Sequence, residues 1–474
     1  MQFKLVMVYL SQIILTIYLL ERRKKCQKTS KKVLALAWIL LSKSCAKLID
    51  FLKKIILSND FLAQHRQSPK NFTRKRKLPF NHLIFFLMNF IKRSYQDELN
   101  GFFQALNGFE VSKRIVSKVA LSKARMKLKY EAFVELNRHL IDFFYRNFQP
   151  ITWHGFNLLA IDGSTARLPR IKEIAEHFGV WHSKRGAECP IARVSQMFDV
   201  LNNLSIDATI SPKSVGERQL AAQHFLNLLP TDLILLDRGY PAYWIFNLIL
   251  SLDSNFCARI SCTKWKIVRK FYHSGEKEQI IYLPAPTTSR KQCLEMGLDT
   301  KPLRLRLIRV ELDTGETEIL VTSLIDPDLY PVHIFHELYH DRWPVEEDYK
   351  TVKCWIEIEN FSGKSVLSVY QDFHAKVFSK NMTSALAYPT REIVRQASEG
   401  KKYEYQINFA QALSNTKDVI VLLFERSKEA ATLLISQLHE IFIKTIEPIR
   451  PGRKFPRNHK VRRRCFYSCY KSIR

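Results

Sequence analysis

No CxxC pair occurs in the 474 residues, and the nine cysteines, from Cys26 to Cys469, are scattered and odd in number. That pattern excludes a secreted disulfide framework and a structural zinc site, so nine reduced thiols in a cytoplasmic protein are expected. Acidic residues are missing from residues 448–474, which hold ten Lys and Arg, and residues 21–80 hold seventeen Lys and Arg against three Asp and Glu. The two ends therefore carry most of the formal charge of +29 and leave the middle close to balance. An ordinary near-neutral cytosolic enzyme is excluded, and a polyanionic partner is the simplest use for such charge, with solvated tails as the alternative. No internal repeat is apparent. No small-residue cleavage site follows the apolar first twenty residues MQFKLVMVYLSQIILTIYLL, so a cleaved signal peptide fits poorly. A membrane anchor, or translated sequence upstream of the true start, are the readings left for residues 1–41.

What is present divides the chain. Residues 42–80 read as a basic amphipathic helix followed by the polar run FTRKRKLPF. Helices follow near 81–107 and 112–148, with Ser112, Ser117 and Ser122 as N-caps and Met126, Phe133, Leu136, Leu140 and Phe144 at helical spacing. Breaks at Asn107-Gly108 and around Ala120-Leu121 would allow a helix-turn-helix reader exposing Lys113, Arg114, Lys118, Lys123, Arg125, Lys127 and Lys129. A solvated bundle is the competing account. From Ile151 strands alternate with helices: FNLLAIDG ends in Asp162-Gly163, a strand pair turns at Asn202-Asn203, and TDLILLDRGYP ends in Asp237-Arg238-Gly239. This is the order of a mixed sheet flanked by helices. The stretch between Asp237 and Glu346 is too long for a plain connection. With a hairpin signature at Asp313-Thr314-Gly315-Glu316, it reads as a β-rich insertion. The expected divisions are residues 42–150, 151–257, 258–327, 328–400 and 401–474.

The run YHDRWPVEEDYKTVK places Tyr339, Arg342, Glu346 and Lys353 in the order Y-x2-R-x3-E-x6-K. On an uninterrupted helix those offsets bring all four within about 60° of one another, a carboxylate flanked by two cations and a phenol. Pro344 is tolerated only at a first turn or a kink, so Tyr339 would join the stripe across a bend. Such a stripe suits a phosphodiester with its divalent ion.

Two strands with terminal aspartates, Asp162 and Asp237, and a later helical Glu346 supply three carboxylates able to converge at one sheet edge. Hard oxygen donors of this kind suit Mg2+, with Mn2+ as substitute. Two ions about 4 Å apart would serve an in-line phosphoryl displacement. Taken singly, each aspartate motif is more often a turn.

The set Asp162, Asp237, Tyr339, Arg342, Glu346 and Lys353 resembles the DDE transposases of bacterial insertion sequences, in particular the IS-four family with its YREK signature. LSKARMKLKYEAFVELN, LLAIDGSTARLP, LILLDRGYPAYWIF and IEIENFSGKS also look like segments of that family. The resemblance implies an α/β fold: an RNase H-like core, a β-rich insertion before the last catalytic acid, and an N-terminal helical DNA-binding region. It also implies two Mg2+ ions on Asp162, Asp237 and Glu346, and DNA backbone contacts from Tyr339, Arg342 and Lys353. The partners would be double-stranded DNA, at element ends and target, and a second copy in a homodimer, in a bacterial cytoplasm. Residues 1–41 do not look like the family.

Two alternatives remain at this stage. One is a transposase-derived DNA-binding regulator without catalysis, against which the three retained acids argue. The other is a zinc protease through His336-Glu337-Leu338-Tyr339-His340, an H-E-x-x-H match with Glu357 or Glu359 as third ligand. Trp343 and Trp265 are candidates to stack on an unpaired base, with a core role more common for either, and Arg238 to contact phosphate or an acidic neighbour.

Overall fold

The computed structural model describes residues 29–182, 188–312 and 315–450, with side chains from residue 42 onward. The apolar first twenty residues, the basic C-terminal tail with Cys465 and Cys469, and Asp313-Thr314 of the hairpin signature lie outside the described residues. The described residues form two compact units, one of those up to Gln149 together with those from Lys353 on, and one of those between Pro150 and Val352.

The first unit begins with helices α1 (Thr29–Leu57), α2 (Asn59–His65), α3 (Phe80–Met88), α4 (Tyr95–Asn107), α5 (Lys118–Arg125) and α6 (Glu131–Asn147). Their starts follow from local chemistry: the side chains of Ser58, Ser94 and Ser117 each accept a backbone N–H three residues on. Helix α4 stops at Gly108, whose left-handed φ of 64° costs little without a Cβ. The break expected at Ala120-Leu121 does not occur, because Ser117 caps α5 and the fully buried Leu121 anchors its middle. Phe133, Leu136, Leu140 and Phe144 form the buried stripe of α6, but Met126 lies past the end of α5 and is exposed, and Arg125, expected on the outer surface, is buried because it pairs with Asp372.

In the second unit come β1 (Asn157–Arg167), α7 (Lys172–Phe178), β2 (Val180–His182), β3 (Glu188–Asp199), β4 (Leu204–Pro212), α8 (Glu217–Phe225) and β5 (Asp232–Leu236). They are followed by α9 (Tyr243–Ser251), β6 (Asn255–Ile260), α10 (Lys266–Ser274), β7 (Glu278–Leu283), α11 (Thr287–Glu295), β8 (Leu303–Glu311) and β9 (Thr317–Thr322). Helices α12 (Ile334–His340) and α13 (Pro344–Lys350) complete the unit. All nine strands join one mixed sheet of order β2-β3-β1-β5-β6-β9-β8-β7, with β4 on β3. Strand β1 runs parallel to β5, and β5 parallel to β6, while the other pairs are antiparallel.

Alternation along the central strands sorts residues onto two faces. Leu158, Ala160, Leu233 and Leu235 pack with Phe335, Leu338 and Val345 of α12 and α13. Leu159, Ile161, Ile234 and Leu236 pack on the opposite face with Ala221 and Phe225 of α8. Burying a Leu or Phe side chain fully contributes roughly 1.5–3 kcal/mol, so these rows fix which face each following residue takes.

The helical unit resumes with α14 (Val366–Ala387), α15 (Arg391–Gln396), α16 (Phe409–Glu425) and α17 (Lys428–Lys444), plus a ribbon of β10 (Tyr405–Ile407) and β11 (Ile446–Pro448). Helix α14 is buried along nearly its whole length against α3 and α6. No helix among the described residues is long and apolar enough to cross a membrane.

Candidate active site

The parity of β1 and β5 brings the two aspartates together. Leu158 pairs with Leu233 and Ala160 with Leu235, so the register extended by two residues would set Asp162 level with Asp237, the residue just past β5, and the Asp237 charge acts on Asp162. Both continue the row that packs against α12 and α13. Strand β1 does not end at Asp162-Gly163 as expected. It runs on to Arg167 because the antiparallel ladder with β3 continues there, pairing Asp162 with Gln196 and Gly163 with Ser195. Asp162 is thus a mid-strand residue, whereas Asp237 opens a turn in which the Tyr240 amide donates to its carbonyl at 3.0 Å.

The single helix stripe expected across Tyr339 to Lys353 is replaced by two helices. Pro344 stands at the first position of α13, and the Arg342 and Trp343 amides close turns onto the carbonyls of Tyr339 and His340. Three of the four residues still meet. Arg342 Nη2 donates to Glu346 Oε1 at 2.5 Å, its guanidinium lies 5.9 Å from the Tyr339 ring centre, and the Tyr339 hydroxyl reaches the carbonyl of Leu236 at 3.5 Å. Lys353 lies in a π-helical turn, Thr351–Trp355, and belongs to the helical unit. The wider turn takes it off the phase that its offset from Tyr339 would give on an α-helix.

The electrostatics link the acids. Burial pushes the Asp162 carboxyl up to about 6, and the charges of Glu346 and Asp237 add to the rise, against the Gly163 N–H and Arg342. Burial also opposes the Arg342 charge, but its hydrogen bond to Glu346, with Tyr339 and Asp237 nearby, leaves its pKa raised. Tyr339 and Tyr240 are pushed up by burial first and by Asp237 or Asp162 beside them. Three hard carboxylates against one buried cation form a donor set suited to divalent metal. As they stand, no three His, Cys, Asp or Glu among the described residues are grouped to hold an ion. Glu346 is instead engaged by Arg342.

Several site residues gave no signal in the sequence. Tyr349, buried on α13, donates its hydroxyl to the Asp162 carbonyl at 2.8 Å. Gln196 Nε2 donates to Asp348 Oδ2 at 3.0 Å. On the other face of β1, a Cβ at Gly163 would lie 3.3 Å from Glu217, which pairs with Arg193 at 2.7 Å. Only contact across the sheet marks these positions, and sequence spacing does not encode it.

Other candidates resolve otherwise. His336, Glu337 and His340 are exposed on α12, and the buried Glu357 accepts a hydrogen bond from Asn360 at 2.8 Å. Trp265 packs on the core edge-on to Phe246, while Trp343 is 43% exposed and donates to Glu347 at 3.1 Å. Arg238 is exposed. Ser195, His224 and Asp207 are joined in triad order at 3.1 and 2.8 Å, but Ser195 is 1% exposed, which leaves no approach for a substrate.

Residues 153–382, which include Asp162, Asp237 and the whole Tyr339 to Lys353 set, match the family described as transposase DDE domain. The transposase InsG for insertion sequence element IS4 of Escherichia coli (strain K12) is 21% identical over 397 residues, 82% of this chain and 87% of that protein. The putative transposase InsZ of the same strain is 25% identical over 165 residues, 33% of this chain and 54% of that protein. Among solved structures, the cryo-EM structure of the piggyBac transposase synaptic complex with hairpin DNA is similar at a TM-score of 0.44. Identity there is 10%, over 86% of this chain and 87% of that one.

Proposed function

We propose, given that this chain belongs to the DDE transposases and acts as a DNA transposase, that Asp162, Asp237 and Glu346 are its catalytic acids. The YREK signature would stand here as Tyr339, Arg342, Glu346 and Lys353. The reaction is phosphodiester hydrolysis at an element end, followed by transesterification in which the freed 3′-hydroxyl attacks target DNA. The observation that carries the assignment is the register of β1 on β5, which sets Asp162 level with Asp237 on the face that packs against the helix of Glu346. The strand order β4-β3-β1-β5-β6, antiparallel on one side of β1 and parallel on the other, supports an RNase H-like reading of the core. Residues 258–327, which extend that sheet, would be the insertion before the last acid.

Two Mg2+ ions, or Mn2+, held by the three carboxylates would activate the attacking oxygen and stabilise the leaving one. The chain's own groups position the DNA. Arg342 is buried, with Nε lacking a hydrogen-bond partner, so it retains donor capacity for a phosphate oxygen. Tyr339 and Lys353 would each contact the DNA backbone. In the helical unit Lys70, Arg74, Lys75, Arg76 and Lys77 are all exposed in the loop before α3, a surface suited to sequence-independent phosphate contact. Residues 42–150 would then be the DNA-binding region, and cutting two ends together would require a second copy of the chain.

The test is nicking of a supercoiled plasmid carrying the DNA that flanks the protein's own coding sequence. With Mg2+ the protein nicks it, and Glu346→Gln and Asp237→Asn each lose activity by at least about a thousandfold while still binding the DNA. Wild-type nicking by either variant overturns the assignment.

A further inference from the structure

Glu346 reaches the aspartates on a short helix, and a helix of two turns that follows a proline turn has little intrinsic stiffness. Besides Val345, two side-chain ties hold α13 against the sheet, both one turn or less from Glu346. Tyr349, three residues on, donates its hydroxyl to the backbone carbonyl of Asp162 at 2.8 Å. Asp348, two residues on, accepts from Gln196 Nε2 at 3.0 Å. Asp162 and Gln196 are register partners in the β1–β3 ladder, so both ties land on one rung. Tyr349 and Asp348 are 7% and 4% exposed, and Gln196 is further fixed by Ser205 at 3.2 Å.

We infer that Tyr349, with the Asp348–Gln196 pair, is a positioning device that sets the distance between the carboxylates of Asp162 and Glu346. The inference rests on the proposed roles of those two acids. Tyr349 binds no DNA and donates no proton in the reaction. Its hydroxyl ties the helix of one acid to the strand of another through backbone, independently of the side chains that would ligate metal. Loss of the tie lets α13 drift by a few tenths of an ångström, enough to loosen a shared metal site while leaving the fold and the DNA surface in place.

The test uses the full chain. Tyr349→Phe keeps the ring and removes the hydroxyl. The expected result is unchanged affinity for duplex DNA, a maximal nicking rate lower by about 10- to 100-fold, and a several-fold higher Mg2+ concentration for half-maximal rate. Mn2+ titration calorimetry without DNA should show the same weakening, which a merely structural role would not produce. Asp348→Ala should reproduce the shift and Asp348→Asn, which can still pair with Gln196, should largely restore wild-type metal dependence. Should Tyr349→Phe fail to fold, Asp348→Ala against Asp348→Asn carries the same test. Wild-type metal dependence in the folded variants overturns the inference if Glu346→Gln is inactive. If Glu346→Gln itself nicks like wild type, the catalytic assignment fails instead.

Discussion

Arg342 holds Glu346 through one 2.5 Å contact from Nη2 to Oε1, while its Nε is buried with no partner. The arginine neutralises an acid in the DNA-free protein and keeps donors in reserve. Replacing it with alanine should weaken DNA binding and lower the slope of log K against log salt by about 1, as for loss of one phosphate contact. Fluorescence anisotropy across a salt series measures this, and an unchanged slope would exclude phosphate contact by Arg342.

Asp162 sits where burial and two neighbouring carboxylates disfavour its charge. In metal-free protein Asp162→Asn should therefore raise the melting temperature, by a gain of at most about 3 kcal/mol, while nicking is abolished. Calorimetry in a chelator checks it. A lower melting temperature would mean that the carboxylate contributes more to folding than its surroundings indicate.

His439 is fully buried, its Nε2 2.8 Å from the Leu386 carbonyl and its Nδ1 3.1 Å from the Ser42 hydroxyl. Burial lowers its pKa from 6.5 to about 4. Between those values the unfolded chain binds the extra proton, so stability is complete above about pH 6.5 and falls as the pH drops toward 4. The loss from pH 7 to pH 5 is about 2 kcal/mol. Urea midpoints at the two pH values should show the drop, and His439→Gln should remove that part of it.

Arg125 and Asp372 are each 4% exposed and meet at 2.6 Å, with Ser362 also donating to Asp372. Asp372→Ala leaves a buried guanidinium without its counter-ion and should cost about 3–5 kcal/mol. Replacing both partners with Met and Leu should cost much less. Denaturant unfolding of the single and double variants separates the two outcomes.

How far the sequence discloses the site differs residue by residue. Asp162 and Asp237 are legible because each follows an apolar strand run, and the two-residue period carries the facing of that run onto the acid. Glu346 is legible through its spacing from Arg342, and the pair meets across the Pro344 turn, with Arg342 just before α13 and Glu346 in its first turn. The single stripe to Tyr339 and Lys353 does not survive. Pro344 ends one helix register and the turn at Thr351–Trp355 shifts the next. Ala120-Leu121 forms no break, since the Ser117 cap and the buried Leu121 carry α5 through it.

The sequence by itself carried the alternation of strands and helices, many of their buried faces, the excess of cationic charge and the three candidate acids, because each depends on neighbours a few residues away. Tertiary structure alone decided that the charge of Asp237 acts on Asp162, that Arg342 engages Glu346, and that Tyr349 and Asp348 tie the glutamate's helix to one rung of the sheet. These are contacts between segments up to 187 residues apart. Strand register and helix docking create them, and both are set by packing across the whole sheet, not by the local run of the chain.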